Sequence, residues 1–164
     1  MNRLHFKRSW FLVAAWVALI NILSGPDFAG ANTQPVIEPK LHAAAPHLSR
    51  NEVRTVAKYI RKHAHVAEYA MLAFLLVWAL QRQGFPPRKP SWRTALAVIT
   101  IVLLVASLDE WHQTFVPSRN GRALDVAIDL GGAALALGAL WCFGKMPQPA
   151  PVGAERGGAE RIKP

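Results

Sequence analysis

The chain has 164 residues, enough for one domain, and 52% of them are hydrophobic while only 18% are charged. A soluble domain averages about 25% charged residues, so the composition argues against an ordinary soluble fold. The formal net charge of +9 would suit nucleic acid. The basic residues, however, stand in short blocks between long apolar runs, as in the cytoplasmic loops of membrane proteins. We therefore expect a membrane protein that binds no nucleic acid.

The first apolar run covers residues 10–23 and follows a basic start without acids. Its length is short for a membrane helix but sufficient if the helix begins near Phe6, so residues 1–24 are predicted to form an N-terminal membrane anchor helix. The alternative is a signal peptide, cleaved at the small residues 29–31. In both cases the chain after Gly25 lies on the outer side.

The segment 27–48 contains three prolines and is predicted to be mostly irregular and mobile. Ser49 and Glu52 then have the spacing of a capping box, which begins a helix. Apolar residues at helical spacing alternate with Arg and Lys up to residue 62, which predicts an amphipathic helix lying among the lipid headgroups. Residues 25–62 are thus predicted to form an outer connector with an amphipathic helix.

Three further apolar runs, at residues 64–80, 92–108 and 126–143, are long enough for membrane helices. The tail, residues 145–164, is rich in Pro, Gly, Ala and charge, and is predicted to be disordered. The single cysteine, Cys142, excludes an intrachain disulfide. The predicted fold is an all-α membrane protein, a bundle of four transmembrane helices with a short amphipathic outer helix.

The fourth run contains two pairs of small residues at a spacing of four. Gly132 with Ala136, and Ala134 with Gly138, are predicted to let helix backbones approach closely in lipid.

The distribution of charge predicts the orientation. The short segment 82–93 has four basic residues and no acid, whereas the short segment 109–125 has two basic residues and three acids. Because basic residues favour the cytoplasmic side, we predict a multi-pass protein of the inner (plasma) membrane with cytoplasmic N- and C-termini. In either orientation, the start of the second run, the end of the third and the start of the fourth lie at one membrane face.

Polar residues are concentrated at that face, and charges at the ends of apolar helices mark a candidate functional site. Helical spacing places them on common faces of their helices, so we predict a cup of carboxylates and cations near the outer headgroups. The residues predicted to line it are Lys62, His65, Glu68, Tyr69, Asp109, Glu110, Gln113, Arg119, Arg122, Asp125 and Asp129.

The same residues resemble the motifs of the VanZ-like family of small membrane proteins. The motifs are Lys62 and His65 with Tyr69, then Asp109-Glu110-x-x-Gln113-x-Phe115-x-Pro117-x-Arg119, then Asp125 and Asp129 before a glycine. Ser24 and Pro26 match the end of the family's first helix and favour a retained anchor. In two departures, Arg61 stands where many relatives carry Asp, and the segment 27–48 is long.

The resemblance covers about residues 10–143 and implies a polytopic inner-membrane protein, with residues 63–144 as the VanZ-like helical core. The family's namesake is associated with low-level resistance to teicoplanin, an antibiotic that acts at the outer face of the membrane in the cell envelope. The resemblance supplies no reaction, and it leaves the oligomeric state open.

Two interpretations of the cup involve neither catalysis nor a metal. In the first, Arg119 or Arg122 pairs with Asp109 or Glu110, and Lys62 with Asp125 or Asp129, in a purely structural ion-pair network. In the second, the cup binds an anionic envelope lipid or a lipid-linked cell-wall precursor. Lys62, Arg119 and Arg122 would then hold phosphate, while Gln113 and Tyr69 add neutral hydrogen bonds.

Two other interpretations involve catalysis or a metal. A membrane-embedded hydrolase or transferase would use Asp109 and Glu110 as acid and base. No nucleophile motif supports this, and adjacent carboxylates on a helix point about 100° apart, towards different partners. A metal site would combine His65 and Glu68 with Asp109 and His112. We predict no metal and no cofactor, and membrane lipids as the partners.

Overall fold

A computed structural model describes residues 3–26, 30–81, 87–115 and 122–144, and these residues form an all-helical bundle. The predicted disordered tail, residues 145–164, lies outside the described residues. The helices of the described part are α1 (Arg3–Leu23), α2 (Gly30–Ala44), α3 (Arg50–Gln81), α4 (Trp92–Gln113) and α5 (Ala123–Phe143).

Helix α3 is the centre of the bundle, because α1, α2, α4 and α5 all pack against it. Its apolar residues Leu72, Leu76 and Val77 are fully buried and form a core with Val98 and Val102 of α4. Helices α3, α4 and α5 are each long and apolar enough to cross a membrane. The 22 residues of α4 extend about 33 Å, which matches a hydrocarbon core of about 30 Å.

Helix α1 packs along α3. Val13 and Ile20 of α1 are buried in the shared core. The indole Nε1 of Trp16 donates a hydrogen bond of 2.9 Å to the backbone carbonyl of Glu68. The first apolar run is therefore an integral part of the bundle core in this fold.

The prediction that residues 27–48 are mostly irregular is wrong, because α2 occupies residues 30–44 of that segment. Helix α2 contains Pro35 and Pro39, and each proline removes one helical hydrogen bond. Packing against α3 compensates for this local cost, and Arg54 of α3 forms an ion pair of 3.2 Å with Glu38. The prolines favour an irregular segment in local terms, and the tertiary contact with α3 leaves no sign in the local sequence.

The predicted amphipathic helix is not a separate element, because residues 50–62 and the second apolar run belong to one continuous helix, α3. The capping box is confirmed: Ser49 N–H donates to Glu52 Oε2 at 2.8 Å, and Glu52 N–H donates to Ser49 Oγ at 3.4 Å. At about 48 Å, the 32 residues exceed the thickness of a hydrocarbon core. The first turns of α3, together with α2, therefore extend beyond the level at which α4 ends.

Only one of the two predicted small-residue pairs lies between helices. Gly132 is buried where α5 crosses α3, and a Cβ there would overlap the backbone of Val66. Ala134 and Gly138 are exposed, and a Cβ at Gly138 would meet nothing within 4 Å. The Gly132 prediction is confirmed, whereas the second pair does not contribute to packing within the described bundle.

Polar contacts to the backbone secure the end of the bundle opposite the predicted cup. The Gln81 side chain donates to the Arg88 carbonyl at 2.7 Å and accepts from the Arg88 N–H at 2.8 Å. The Trp141 indole donates to the Pro90 carbonyl at 2.9 Å. These bonds join the C-terminal ends of α3 and α5 to the segment that leads into α4.

Candidate functional site

A pocket of about 400 Å³ lies where the C-terminal end of α4 and the N-terminal end of α5 meet the middle of α3. Seven of the residues predicted from the sequence line it, which shows that the topology brings these helix ends together. The lining residues are Lys58, Arg61, Lys62, His65, Glu110, Gln113, Arg122, Leu124, Asp125, Ile128 and Asp129.

Asp109 lies beneath this lining and is 1% exposed. Its Oδ2 accepts two hydrogen bonds of 2.8 Å, one from Ser24 Oγ and one from Gln113 Nε2. Ser24 follows the C-terminal end of α1, so this bond ties the end of α1 to the end of α4. Ser24 matches the family motif in the sequence, but its bond to Asp109 was not predicted.

Glu110 points to a different partner. Its Oε2 accepts a hydrogen bond of 2.7 Å from the backbone N–H of Arg122, the residue that precedes α5. The expectation that Asp109 and Glu110 serve different partners is therefore confirmed. Two adjacent residues of α4 hold the two connections that flank the pocket, one to α1 and one to α5.

A second cluster of polar groups joins α3 to α5. His65 Nδ1 lies 3.5 Å from Glu68 Oε2 on the same helix and 4.0 Å from Asp129 Oδ1 on α5. Asp129 is 2% exposed, and its Oδ1 accepts no hydrogen bond from the described residues. The close approach at Gly132, one turn further along α5, brings these two helices together near this cluster.

Tyr69 is fully buried and lies one turn below His65 on α3. Its hydroxyl has no hydrogen-bond partner among the described residues. Neither Tyr69 nor Glu68 is part of the pocket lining. The predicted binding residues thus divide into a group that lines the pocket and a group, Glu68 and Tyr69 with the candidate acid Asp109, that surrounds it from within the bundle.

The exposed cations at the pocket are not paired with its carboxylates. Lys58, Lys62 and Arg122 are exposed, and in the described segments none of their side chains forms an ion pair. Arg122 contacts Glu110 through its backbone instead of its guanidinium group. The predicted structural pairs of Lys62 and of the Arg122 side chain are therefore absent from this part of the chain. Arg119 lies outside the described residues.

Lys58 and Arg61 line the pocket without having been predicted. Lys58 precedes Lys62 by one helical turn, so the face shared by Lys62 and His65 continues through it. Extending that face by one turn would have identified Lys58.

The two His–carboxylate pairs considered for a metal do not combine. His112 is exposed, and among the residues with described placement no three His, Cys, Asp or Glu side chains are arranged to hold an ion.

Three apolar helices of membrane length, with a charged pocket at one end of an all-helical bundle, define a small helical membrane protein. Residues 7–144 match the family model described as VanZ/LLP1, and this match covers most of the chain. The chain belongs to the VanZ/LLP1 family, which confirms the resemblance drawn from the Asp109-Glu110 motif. Comparison with curated proteins finds no match, and comparison with solved structures finds none.

Proposed function

We propose that this protein crosses the inner membrane four times and binds, in its outer-face pocket, the phosphate of an anionic envelope lipid or a lipid-linked cell-wall precursor. The observation that carries the proposal is the set of exposed cations at a pocket of about 400 Å³. Lys58, Lys62 and Arg122 lie beside buried carboxylates without pairing to them in the described part of the chain. Three positive charges held in this way favour an external anion.

The position of the pocket along the bundle supports a lipid as the source of that anion. The pocket lies where α4 ends and α5 begins, and a helix of membrane length ends near the headgroups. Basic residues near a membrane surface gain about 1 kcal/mol each from anionic lipids. Arg122 can also hold phosphate oxygens with two parallel donors.

The proposal makes α1 a retained fourth membrane helix. It is supported by the burial of Val13 and Ile20 and by the bond from Ser24 to Asp109. A cleaved signal peptide would remove all three residues. Peptide mapping of the protein purified from membranes should therefore detect residues 13–24. A mature N-terminus near residue 32 would contradict it.

The proposed orientation places the pocket outside and the basic segment 82–93 inside. In a Cys142→Ser background, a membrane-impermeant maleimide added to intact cells should label Lys40→Cys on α2. It should not label Arg93→Cys, at the start of α4, until the cells are broken. The opposite labelling pattern would reverse the orientation.

The binding test compares two variants with the same change of charge. Lys62→Gln with Arg122→Gln removes two cations from the pocket, while Lys40→Gln with Arg93→Gln removes two exposed cations elsewhere. A charge-assisted hydrogen bond contributes about 1.5 kcal/mol or more, so losing two should weaken binding of phosphatidylglycerol about a hundredfold. The control variant should bind nearly as the natural protein does.

Binding is measured on full-length protein in neutral detergent by native mass spectrometry, as a titration with phosphatidylglycerol. Equal losses in the two variants would mean that attraction is a property of the whole basic surface and not of this pocket. If both variants still bind phosphatidylglycerol as the natural protein does, the pocket cations do not hold its phosphate.

We extend the proposal to glycopeptide resistance, because a protein that holds lipid-linked precursors at the outer face would change what teicoplanin meets there. Expression of the natural protein should raise the inhibitory concentration of teicoplanin, and the Lys62→Gln/Arg122→Gln variant should not. An equal effect of both proteins would separate resistance from the pocket.

A further inference from the structure

The most exposed charged residues of the pocket lining are cations, and its most buried charged residues are carboxylates. Its exposed part carries the cations Lys58, Lys62 and Arg122, whereas Glu110 and Asp129 are only 8% and 2% exposed. A phosphate satisfies the exposed cations, but its negative charge is repelled by the buried carboxylates. A ligand that suits both levels therefore needs a second chemical part beyond the phosphate.

The deeper level offers hydrogen-bond acceptors. Asp129 lines the pocket, yet no described residue donates a hydrogen bond to its side chain, and its Oδ1 lies 4.0 Å from His65 Nδ1. Leaving a buried carboxylate without a donor is costly. Asp125, one turn earlier on the same face of α5, adds a second carboxylate to the lining. Groups with N–H or O–H bonds would offset this cost.

We propose that the pocket selects phosphodiester headgroups that carry hydroxyl or amine donors beyond the phosphate. The phosphate lies at the exposed entrance of the pocket, its mouth, where the side chains of Lys58, Lys62 and Arg122 are found. The hydroxyl or amine donors reach the deeper side chain of Asp129. This inference rests on the proposed function, because it assumes that the mouth holds the phosphate. A volume of about 400 Å³ accommodates such a headgroup, since small-molecule pockets begin near 300 Å³.

Two pairs of lipids separate the donor from the charge. Phosphatidylglycerol and phosphatidylmethanol have the same charge, but only the first has headgroup hydroxyls. Phosphatidylethanolamine and phosphatidylcholine are both zwitterions, but only the first has N–H donors. Full-length protein in neutral detergent is titrated with each lipid by native mass spectrometry. The donor lipid should bind about tenfold more tightly in at least one pair, which corresponds to one charge-assisted hydrogen bond.

The pair that shows the preference identifies the donor as a hydroxyl or an ammonium group. Asp129→Leu removes the acceptor and should reduce the affinity ratio within that pair to about one. Lys62→Gln with Arg122→Gln should weaken the binding of both lipids of the pair equally and leave the ratio of their affinities unchanged. The comparison of lipids on the natural protein decides the matter even where Asp129→Leu does not fold.

The failure of this inference is distinct from the failure of the proposed function. Equal affinities within both pairs overturn the donor selectivity and leave phosphate binding intact. Absence of binding by all four lipids overturns both. A preference that survives Asp129→Leu overturns the assignment of the acceptor.

Discussion

Replacement of Gly132 by alanine tests the closest approach in the bundle. A Cβ at Gly132 would lie 3.1 Å from both the Cα and the carbonyl carbon of Val66, and it would overlap the carbonyl oxygen. Carbon atoms pack best about 3.5–4.0 Å apart, so α5 must move away from α3 by about 0.5–1 Å. Neither neighbour is a flexible side-chain end that could move aside. Overpacking of this kind costs about 1–3 kcal/mol.

Gly131→Ala supplies the matched control. It makes the same chemical change one residue away in the same helix, where a Cβ meets nothing within 4 Å. Alanine is favoured over glycine in a helix by about 1 kcal/mol, and this gain applies to both variants. The difference between the two variants therefore isolates the packing cost. We expect Gly132→Ala to be less stable than Gly131→Ala by about 1–3 kcal/mol.

The assay is reversible unfolding of the full-length protein in mixed micelles of increasing SDS content, followed by far-UV circular dichroism. The free energy of unfolding is extrapolated to zero SDS for each variant. If the two variants agree within about 0.5 kcal/mol, the close approach of α3 and α5 is not a property of the protein, and the argument fails.

Two further predictions use the same unfolding assay. Ser24→Ala should lower the free energy of unfolding by about 1.5–3 kcal/mol, because Asp109 loses a buried charge-assisted hydrogen bond. Ser107→Ala, on the exposed side of α4, is the control and should change it by less than about 0.5 kcal/mol. Equal stabilities of the two variants would refute the bond between the ends of α1 and α4. Gln81→Ala should cost about 1–2 kcal/mol, since it leaves the Arg88 N–H and carbonyl without their partners, and a change near zero would mean that water replaces both bonds.

The apolar runs predicted the helices well because length and hydropathy alone decide whether a segment can span a bilayer. Each of the three later runs lies within a helix of membrane length. The segment before α3 was predicted less well. Pro35 and Pro39 each disfavour a helix by about 3 kcal/mol in local terms, and the contacts of α2 with α3 oppose that cost. The local cost of the prolines can be read from the sequence, whereas the packing that opposes it depends on the tertiary fold.

The pocket shows a similar division between what spacing predicts and what it cannot. Helical spacing placed His65, Gln113 and Asp129 on faces that meet, because residues three or four apart share a face. It could not identify Ser24 as a donor to Asp109, because 85 residues separate them in the chain. The second donor that was not predicted is the backbone N–H of Arg122, which bonds to Glu110. Every residue except proline has such a group, so the residue type does not indicate it.

The three buried carboxyl groups around the pocket differ in how they are satisfied, and this difference bears on function. Asp109 Oδ2 accepts two hydrogen bonds, although its Oδ1 accepts none from the described residues, and Glu110 Oε2 accepts a bond from the residue before α5, so each contributes to holding helix ends together. Asp129 receives none from the described residues, although it is as deeply buried as Asp109. The hydrogen bonds to Asp109 Oδ2 and Glu110 Oε2 give these two residues a structural role, because each donor offsets part of the cost of burial. At Asp129 the nearest potential cation is His65, whose Nδ1 lies 4.0 Å from Oδ1, beyond hydrogen-bonding distance. A ligand that brings its own donor into the pocket offsets the remaining cost.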